Sequence, residues 1–378
     1  MKKIIRTSTV PMSLDTFCRG QLKMLSEHFE VVAVSSPDVE LKTIEEREGV
    51  RTIAVAMERH ISLLKDVKSL FQMIRVFKKE KPDIVHSITP KAGLVSMLAA
   101  WICRVPVRMH TYTGLVFPTT TGVKQKVLIA MDRLLCACAT YINPEGQGVA
   151  NDLLRFGITK KPLHIIGNGN VRGIDADYWK NDGYDRNDLR NNLQIGKDDF
   201  VFVFVGRLVG DKGINELVAA FKQLMADHSN VKLLLVGPYE NHLDPLKPET
   251  EKEIKTNQNI ITTGSQKDVR PYYVAADAFV FPSYREGFPN TVIEAGALGL
   301  PSIVTDINGA NEIIFPPQNG VIVPSKSVEA LYQAMSHFLE SPDELKRMAS
   351  NARKMVVDRF NQQFIWGELL KVYQSIVK

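Results

Sequence analysis

The chain has 378 residues, too long for one hydrophobic core of ordinary size and about right for two domains. Its 44% apolar and 24% charged residues are a globular composition, and no apolar run nears the ~18 residues that span a bilayer. The opening residues, with only Ile4 and Ile5 adjoining before Arg6, read as a first strand and not as a secretory leader. Four cysteines without a CxxC pair fit a reduced, cytoplasmic compartment, with the thiols as small buried hydrophobes. The net charge of +5 is uneven: 24 Lys and Arg stand against 15 Asp and Glu through residue 165, and 23 against 27 beyond it. The first half is therefore expected to meet something anionic, and nothing marks that partner as nucleic acid.

Along the chain, short β-rich runs alternate with helical patterns. Strands are expected at 3–10, 31–35, 52–56, 83–88, 107–111, 140–142 and 163–166. Between the third and fourth, Leu63, Leu64, Val67, Leu70, Phe71, Ile74 and Phe77 have the spacing of an amphipathic helix. Arg59, Lys65, Lys68, Arg75, Lys78, Lys79 and Lys81 lie in or beside it. A turn cluster at 167–170 and a polar stretch at 175–199 place the domain boundary after Ile166. A second series of strands follows at 200–205, 232–236, 260–263, 278–281, 302–305 and 321–323, and beyond 325 the pattern is helical. Alternating strands and helices predict parallel sheets covered on both faces, a doubly wound α/β fold. The expected division is 1–166, 167–358 and a tail helix 359–378.

Two segments carry chemistry. Gly206-Arg-Leu-Val-Gly-Asp-Lys-Gly213 follows the wholly apolar run 200–205 and precedes a helical pattern. Ligands in open parallel sheets bind at the C-terminal ends of strands. At that edge, Arg207, Lys212, glycines and a helix start favour a diphosphate. The segment is neither a Walker A loop, since Gly-Lys-Ser/Thr is missing, nor a dinucleotide GxGxxG. Glu286-Gly-Phe-Pro-Asn-Thr-Val-Ile-Glu294 follows the run 278–281 at the same edge. Glu294 falls in the second turn of a helix, where a carboxylate can accept both ribose hydroxyls. Glu286 falls on the loop before it, or caps that helix.

Together, Arg207 and Lys212 in GRxxxDKG and Glu286 and Glu294 in EGFPNTVIEAGAxGxP resemble the retaining glycosyltransferases of family 4, which have the GT-B fold. The likeness covers the C-terminal half, including 276–283 and 301–309. It implies two Rossmann-like lobes facing a central cleft, with the tail helix 359–378 packing back on the first. It further implies that Arg207 and Lys212 neutralise a donor diphosphate, Glu294 holds the ribose and Glu286 sits by the transferred sugar. The loop Gly287, Phe288, Pro289, Asn290 and Thr291 would meet the phosphates or the sugar through its backbone. Gly264, Gln266 and Lys267, after another strand of that edge, are weaker candidates for the nucleobase.

The N-terminal half departs from the family. Where many members carry Gly-Gly after the first strand, this chain has Thr7-Ser-Thr-Val-Pro-Met12, and Ser8 and Thr9 hydroxyls are taken as substitutes. Where many carry a His directly before a Gly, Thr113 precedes Gly114, and His110 is taken as the active-site histidine. Thr9, Pro11 and Lys91 are expected on the acceptor side. The resemblance implies retaining transfer, without cofactor or metal, from a nucleoside-diphosphate sugar, UDP preferred to GDP. The acceptor would be a saccharide, often linked to a lipid diphosphate, at the inner face of the cell membrane during polysaccharide or lipopolysaccharide assembly. Two alternatives stay open on the residues alone: a nucleotide-sugar 2-epimerase of the same fold, and a non-catalytic sugar-nucleotide-binding protein.

Overall fold

The computed structural model describes residues 1–58, 62–240 and 244–377, so Arg59 lies outside the described residues. The chain forms two compact units, Met1–Gly173 with Gln362–Lys378, and Ile174–Asn361. The first unit holds β1 (Lys3–Thr7), β2 (Glu30–Ser35), β3 (Arg51–Ala54), β4 (Ile84–Ile88), β5 (Val107–Tyr112) and β6 (Tyr141–Pro144). They pair in the order β3-β2-β1-β4-β5-β6, every neighbour parallel. The second unit holds β7 (Phe200–Val205), β8 (Val231–Val236), β9 (Ile260–Gly264), β10 (Ala278–Phe281), β11 (Ser302–Thr305) and β12 (Gly320–Val323). Their order, β12-β11-β10-β7-β8-β9, is again parallel throughout. Each sheet therefore reverses its strand order once, between β1 and β4 and between β7 and β10, and both units are doubly wound α/β structures.

Burial explains why these runs become strands. Val201 through Phe204 are wholly buried, as in a strand covered on both faces. Their neighbours Leu233, Leu234, Phe279 and Ile303 are wholly buried too. Three expectations are corrected. The run 163–166 is not a strand, because Leu163 makes only an isolated bridge to Ile142. The polar stretch contains a helix, Arg186–Asn192, whose N-cap Asp185 accepts from the amides of Asn187 and Asp188. The first crossing between units falls at Gly173, not Ile166. Gly173 has φ +70°, and a Cβ there would stand 2.4 Å from the Cα of Gln362.

The tail is a helix, Gln362–Ile376, that buries Ile365, Trp366, Leu369 and Tyr373 in the first unit. The indole of Trp366 donates to the Arg172 carbonyl at 3.1 Å. Arg6, 1% exposed, donates to Gln21 at 2.9 Å, to the Tyr373 hydroxyl at 2.9 Å and to the Cys18 sulfur at 3.2 Å. His86 lies on the other side of that hydroxyl and also meets Thr111 at 2.7 Å. Burial drives the His86 imidazole well below its usual range and pushes the Tyr373 phenol up to about 12. All four cysteines are free thiols. No helix among the described residues is long and apolar enough to cross a membrane.

Candidate active site

Lys212 and Glu286 meet where β7 and β10 lie side by side, and Arg207 is on the same loop as Lys212. Gly213, with φ +71°, ends the loop after β7 and starts the helix Ile214–Asp227. A Cβ on Gly213 would stand 2.1 Å from the Pro282 carbonyl oxygen, so the loops leaving β7 and β10 are in contact. The Tyr284 amide donates to the Asp211 carbonyl at 2.9 Å, and Arg285 donates to the Asp211 carboxylate at 2.9 Å. These bonds hold the two loops as one platform at the C-terminal edge of the sheet, the edge at which open parallel sheets bind ligands.

On that platform the Lys212 ammonium donates directly to Glu286, and the Ser283 hydroxyl donates to the same carboxylate oxygen at 2.8 Å. Lys212 also lies 5.6 Å from the centroid of the Phe281 ring. Arg207 turns to the next strand and donates to Glu240 at 2.7 Å. Both cations are thus neutralised locally by carboxylates. Arg207 keeps 42% of its side chain exposed, whereas Lys212 keeps 15%. Glu294 is in the helix Asn290–Ala297 and is 7% exposed, so it is a buried carboxylate and not a surface one. Two helices begin here, Ile214–Asp227 and Asn290–Ala297, whose N-cap residues Gly213 and Pro289 make no side-chain cap bond. Their positive ends add to the two cations.

The loop Gly287, Phe288 and Pro289 rests on Gly309, where a Cβ would stand 2.5 Å from the Gly287 carbonyl oxygen. Phe288 is 5% exposed and packs edge-on to Phe360, so its side chain belongs to the core. Asn290 and Thr291 open the helix and are half-buried. Gly264 ends β9, the edge strand two places from β7, and Gln266 and Lys267 follow it; Gln266 donates to the Thr263 carbonyl at 2.8 Å and Lys267 is exposed.

Two family models match the chain, Glycosyl transferases group 1 over residues 185–355 and Glycosyl transferase 4-like domain over 16–169. The capsular polysaccharide biosynthesis glycosyltransferase CapM of Staphylococcus aureus is 33% identical over 380 residues, 100% of this chain and 98% of that protein. The chain belongs to the family 4-type glycosyltransferases. An Escherichia coli relative, the UDP-Gal:alpha-D-GlcNAc-diphosphoundecaprenol alpha-1,3-galactosyltransferase, is 28% identical over 80% of this chain and 78% of its own. The crystal structure of Anabaena HepE in complex with UDP superposes with a TM-score of 0.83 at 20% identity, covering 99% of this chain and 100% of that one. The fold is GT-B.

The glycosyltransferase does not place His110 at a strand end. The ring lies inside β5 and is 1% exposed. Its Nδ1 meets the Ser87 hydroxyl at 2.8 Å and its face is 4.5 Å from Tyr112. Gly93 is a glycine because a Cβ would stand 2.4 Å from this ring. Burial lowers the imidazole to about 3, so it is a neutral core histidine and is withdrawn as a catalytic candidate.

Of the acceptor-side candidates, Thr9 follows β1 and Lys91 follows β4, its neighbour in the sheet, with their polar atoms engaged. The Thr9 hydroxyl bonds Thr89 at 2.8 Å and the Ala92 amide at 3.2 Å, and Ser8 bonds the Val10 carbonyl at 2.8 Å. Pro11 is buried, and Lys91, with 7% of its side chain exposed, bonds Asp66 at 2.5 Å. The Ser8 and Thr9 hydroxyls therefore brace the turn instead of facing outward. Sequence reasoning missed Glu240, Ser283, Arg285 and Asp211. Position alone was the available signal, and only for Ser283, close behind β10; Asp211, Arg285 and Glu240 lie further along their loops.

Proposed function

We propose that the enzyme transfers a sugar from a UDP-sugar to a saccharide on a lipid diphosphate, with retention and without metal. The observation that carries this is the pair of cations Arg207 and Lys212 on the loop after β7, the loop that leads into the start of the helix Ile214–Asp227 and touches the loop after β10. A donor diphosphate replaces Glu240 and Glu286 as their partner. Leaving-group charge then spreads over fixed cations and amides, the work a metal does in other transferases. The C1–oxygen bond to the diphosphate breaks while the acceptor oxygen bonds C1 on the same face. The acceptor proton passes to the departing phosphate oxygen. Glu286 stands closest to the transferred sugar and Glu294 grips the ribose.

The relatives support the substrate classes. One is named for capsule assembly and one for a diphosphoundecaprenol acceptor, and the Anabaena structure holds UDP. The proposed place of work is the inner face of the cell membrane, because the first half carries the excess of basic residues. Calorimetric titration with UDP, GDP and ADP tests the donor. UDP should bind tightest, with or without EDTA. Arg207→Ala and Lys212→Ala should each weaken it by about 10- to 100-fold, since charge-assisted bonds are worth ~1.5–3 kcal/mol. Unchanged UDP affinity in both variants, or a requirement for a divalent ion, would overturn the assignment.

A further inference from the structure

Ser283 is wholly buried two residues beyond β10, so its hydroxyl must find its partner inside the protein. A serine hydroxyl has one proton to give. Three acceptors among the described residues lie within its reach: Glu286 Oε1 at 2.8 Å, the Arg285 carbonyl at 3.3 Å and the Asp211 carbonyl at 3.4 Å. The carboxylate is the nearest of the three and the only charged one, and the Asp211 carbonyl already accepts the Tyr284 amide at 2.9 Å. The proton therefore goes to Glu286, in a bond strengthened by charge. The backbone fixes the place from which it is given. The Ser283 carbonyl accepts from the Thr305 hydroxyl, also wholly buried, at 2.5 Å, and the carbonyl of the preceding Pro282 lies against Gly213.

Both bonds to Glu286, from Lys212 and from Ser283, fall on this one oxygen, and Oε2 accepts none among the described residues. The two donors respond differently to a bound diphosphate. Lys212 keeps 15% of its side chain exposed on the platform, and a diphosphate competes for its charge. Ser283 has no exposed surface, so no substrate touches it. Once Lys212 has turned to a diphosphate, Ser283 is the protein donor left on the carboxylate.

We propose that Ser283 is a positioning residue for sugar transfer: its buried hydroxyl holds Glu286 by Oε1 in the donor-loaded enzyme and so leaves Oε2 for the transferred sugar. The inference rests on the reading of Glu286 as the carboxylate beside that sugar. It adds that the carboxylate is oriented from the core, by a group that meets neither donor nor acceptor.

The test follows UDP release, with water as acceptor, from whichever of UDP-glucose, UDP-galactose and their 2-acetamido counterparts the unmodified enzyme cleaves fastest, beside UDP calorimetry. Ser283→Ala should lower kcat by about tenfold, the scale of a lost bond to a charged group, with donor KM and UDP affinity changed by about twofold at most. Thr305→Val, which frees the Ser283 carbonyl and keeps its hydroxyl, should lower kcat in the same direction and by less. In the Glu286→Gln background, Ser283→Ala should cost about twofold or less, because the two residues act as one unit. A kcat unchanged in the folded single variants, or an equal loss with and without Glu286→Gln, would overturn the inference. So would a fall in UDP affinity as large as the fall in kcat, since the hydroxyl would then only brace the loop. Glu286→Gln separates the two proposals: full kcat in that variant removes the reading of Glu286, whereas a slow Glu286→Gln beside a fully active Ser283→Ala removes only this one.

Discussion

Lys212 and Glu286 satisfy each other before any ligand arrives, and that pairing sets what each substitution should do. Glu286→Gln keeps the shape, frees the ammonium and removes a negative charge from the place where the diphosphate would go. UDP should then bind as tightly as before or more so, while kcat falls, because the carboxylate acts where positive charge develops on the transferred sugar. Glu294→Gln should instead raise the donor KM with kcat nearly unchanged, as for uniform binding. Initial rates with saturating acceptor, beside UDP calorimetry, distinguish these patterns. A UDP affinity for Glu286→Gln reduced as far as for Lys212→Ala would show that Glu286 serves the nucleotide and not the sugar. The four charged residues stood out in the sequence through the two motifs that hold them, each following an apolar run. Glu240 did not, because its partner Arg207 lies on another loop, 33 residues away, and no periodicity links them. His110 misled for a related reason: in a parallel strand both faces are buried, so proximity to a strand end says little about exposure.

At the scale of elements, the strands were the most legible part, since runs of buried β-branched and aromatic residues have few other uses. The failures were also physical. The run 163–166 has strand composition but only one bridging partner, and the helix Arg186–Asn192 is made of polar residues that show no apolar face. The helix Leu63–Glu80 was legible as a helix, yet its apolar residues divide in a way that spacing alone does not show. Met73 and Phe77 are buried, whereas Leu64, Val67 and Phe71 are exposed. Among its acids, Asp66 is paired with Lys91, and Glu80 with Lys3 and Arg51, which draw it down to about 2. Lys65, Lys68, Arg75, Lys78 and Lys79 remain exposed beside the three apolar side chains. This helix should bind vesicles containing phosphatidylglycerol and not phosphatidylcholine alone, at about 1 kcal/mol per basic residue near the surface. Salt should weaken the attachment and Phe71→Ser should reduce it further. Equal flotation with both vesicles, insensitive to salt, would remove the argument.

At the scale of the whole molecule the chain crosses between the two units twice, after Gly173 and after Asn361. Gly173 and Gln362 touch, and the amide of Ile174 donates to the Phe360 carbonyl at 2.7 Å, so the two crossings run side by side. The first unit is thus discontinuous in sequence, with Arg6 and His86 depending on Tyr373 for hydrogen bonds across 367 and 287 residues. That separation has a consequence for biogenesis. A ribosome delivers Arg6 first and Tyr373 last, so the earlier unit waits with a buried cation short of a partner while Ile174–Asn361, contiguous in the chain, can close on its own. We predict that nascent chains stalled after residue 361 has cleared the exit tunnel protect the second unit from protease and leave the first sensitive, until residues 362–376 also emerge. Full protection of the first unit in the shorter arrest would contradict this. The order of folding would then run opposite to the order of synthesis, leaving the first sheet in the care of chaperones for most of translation.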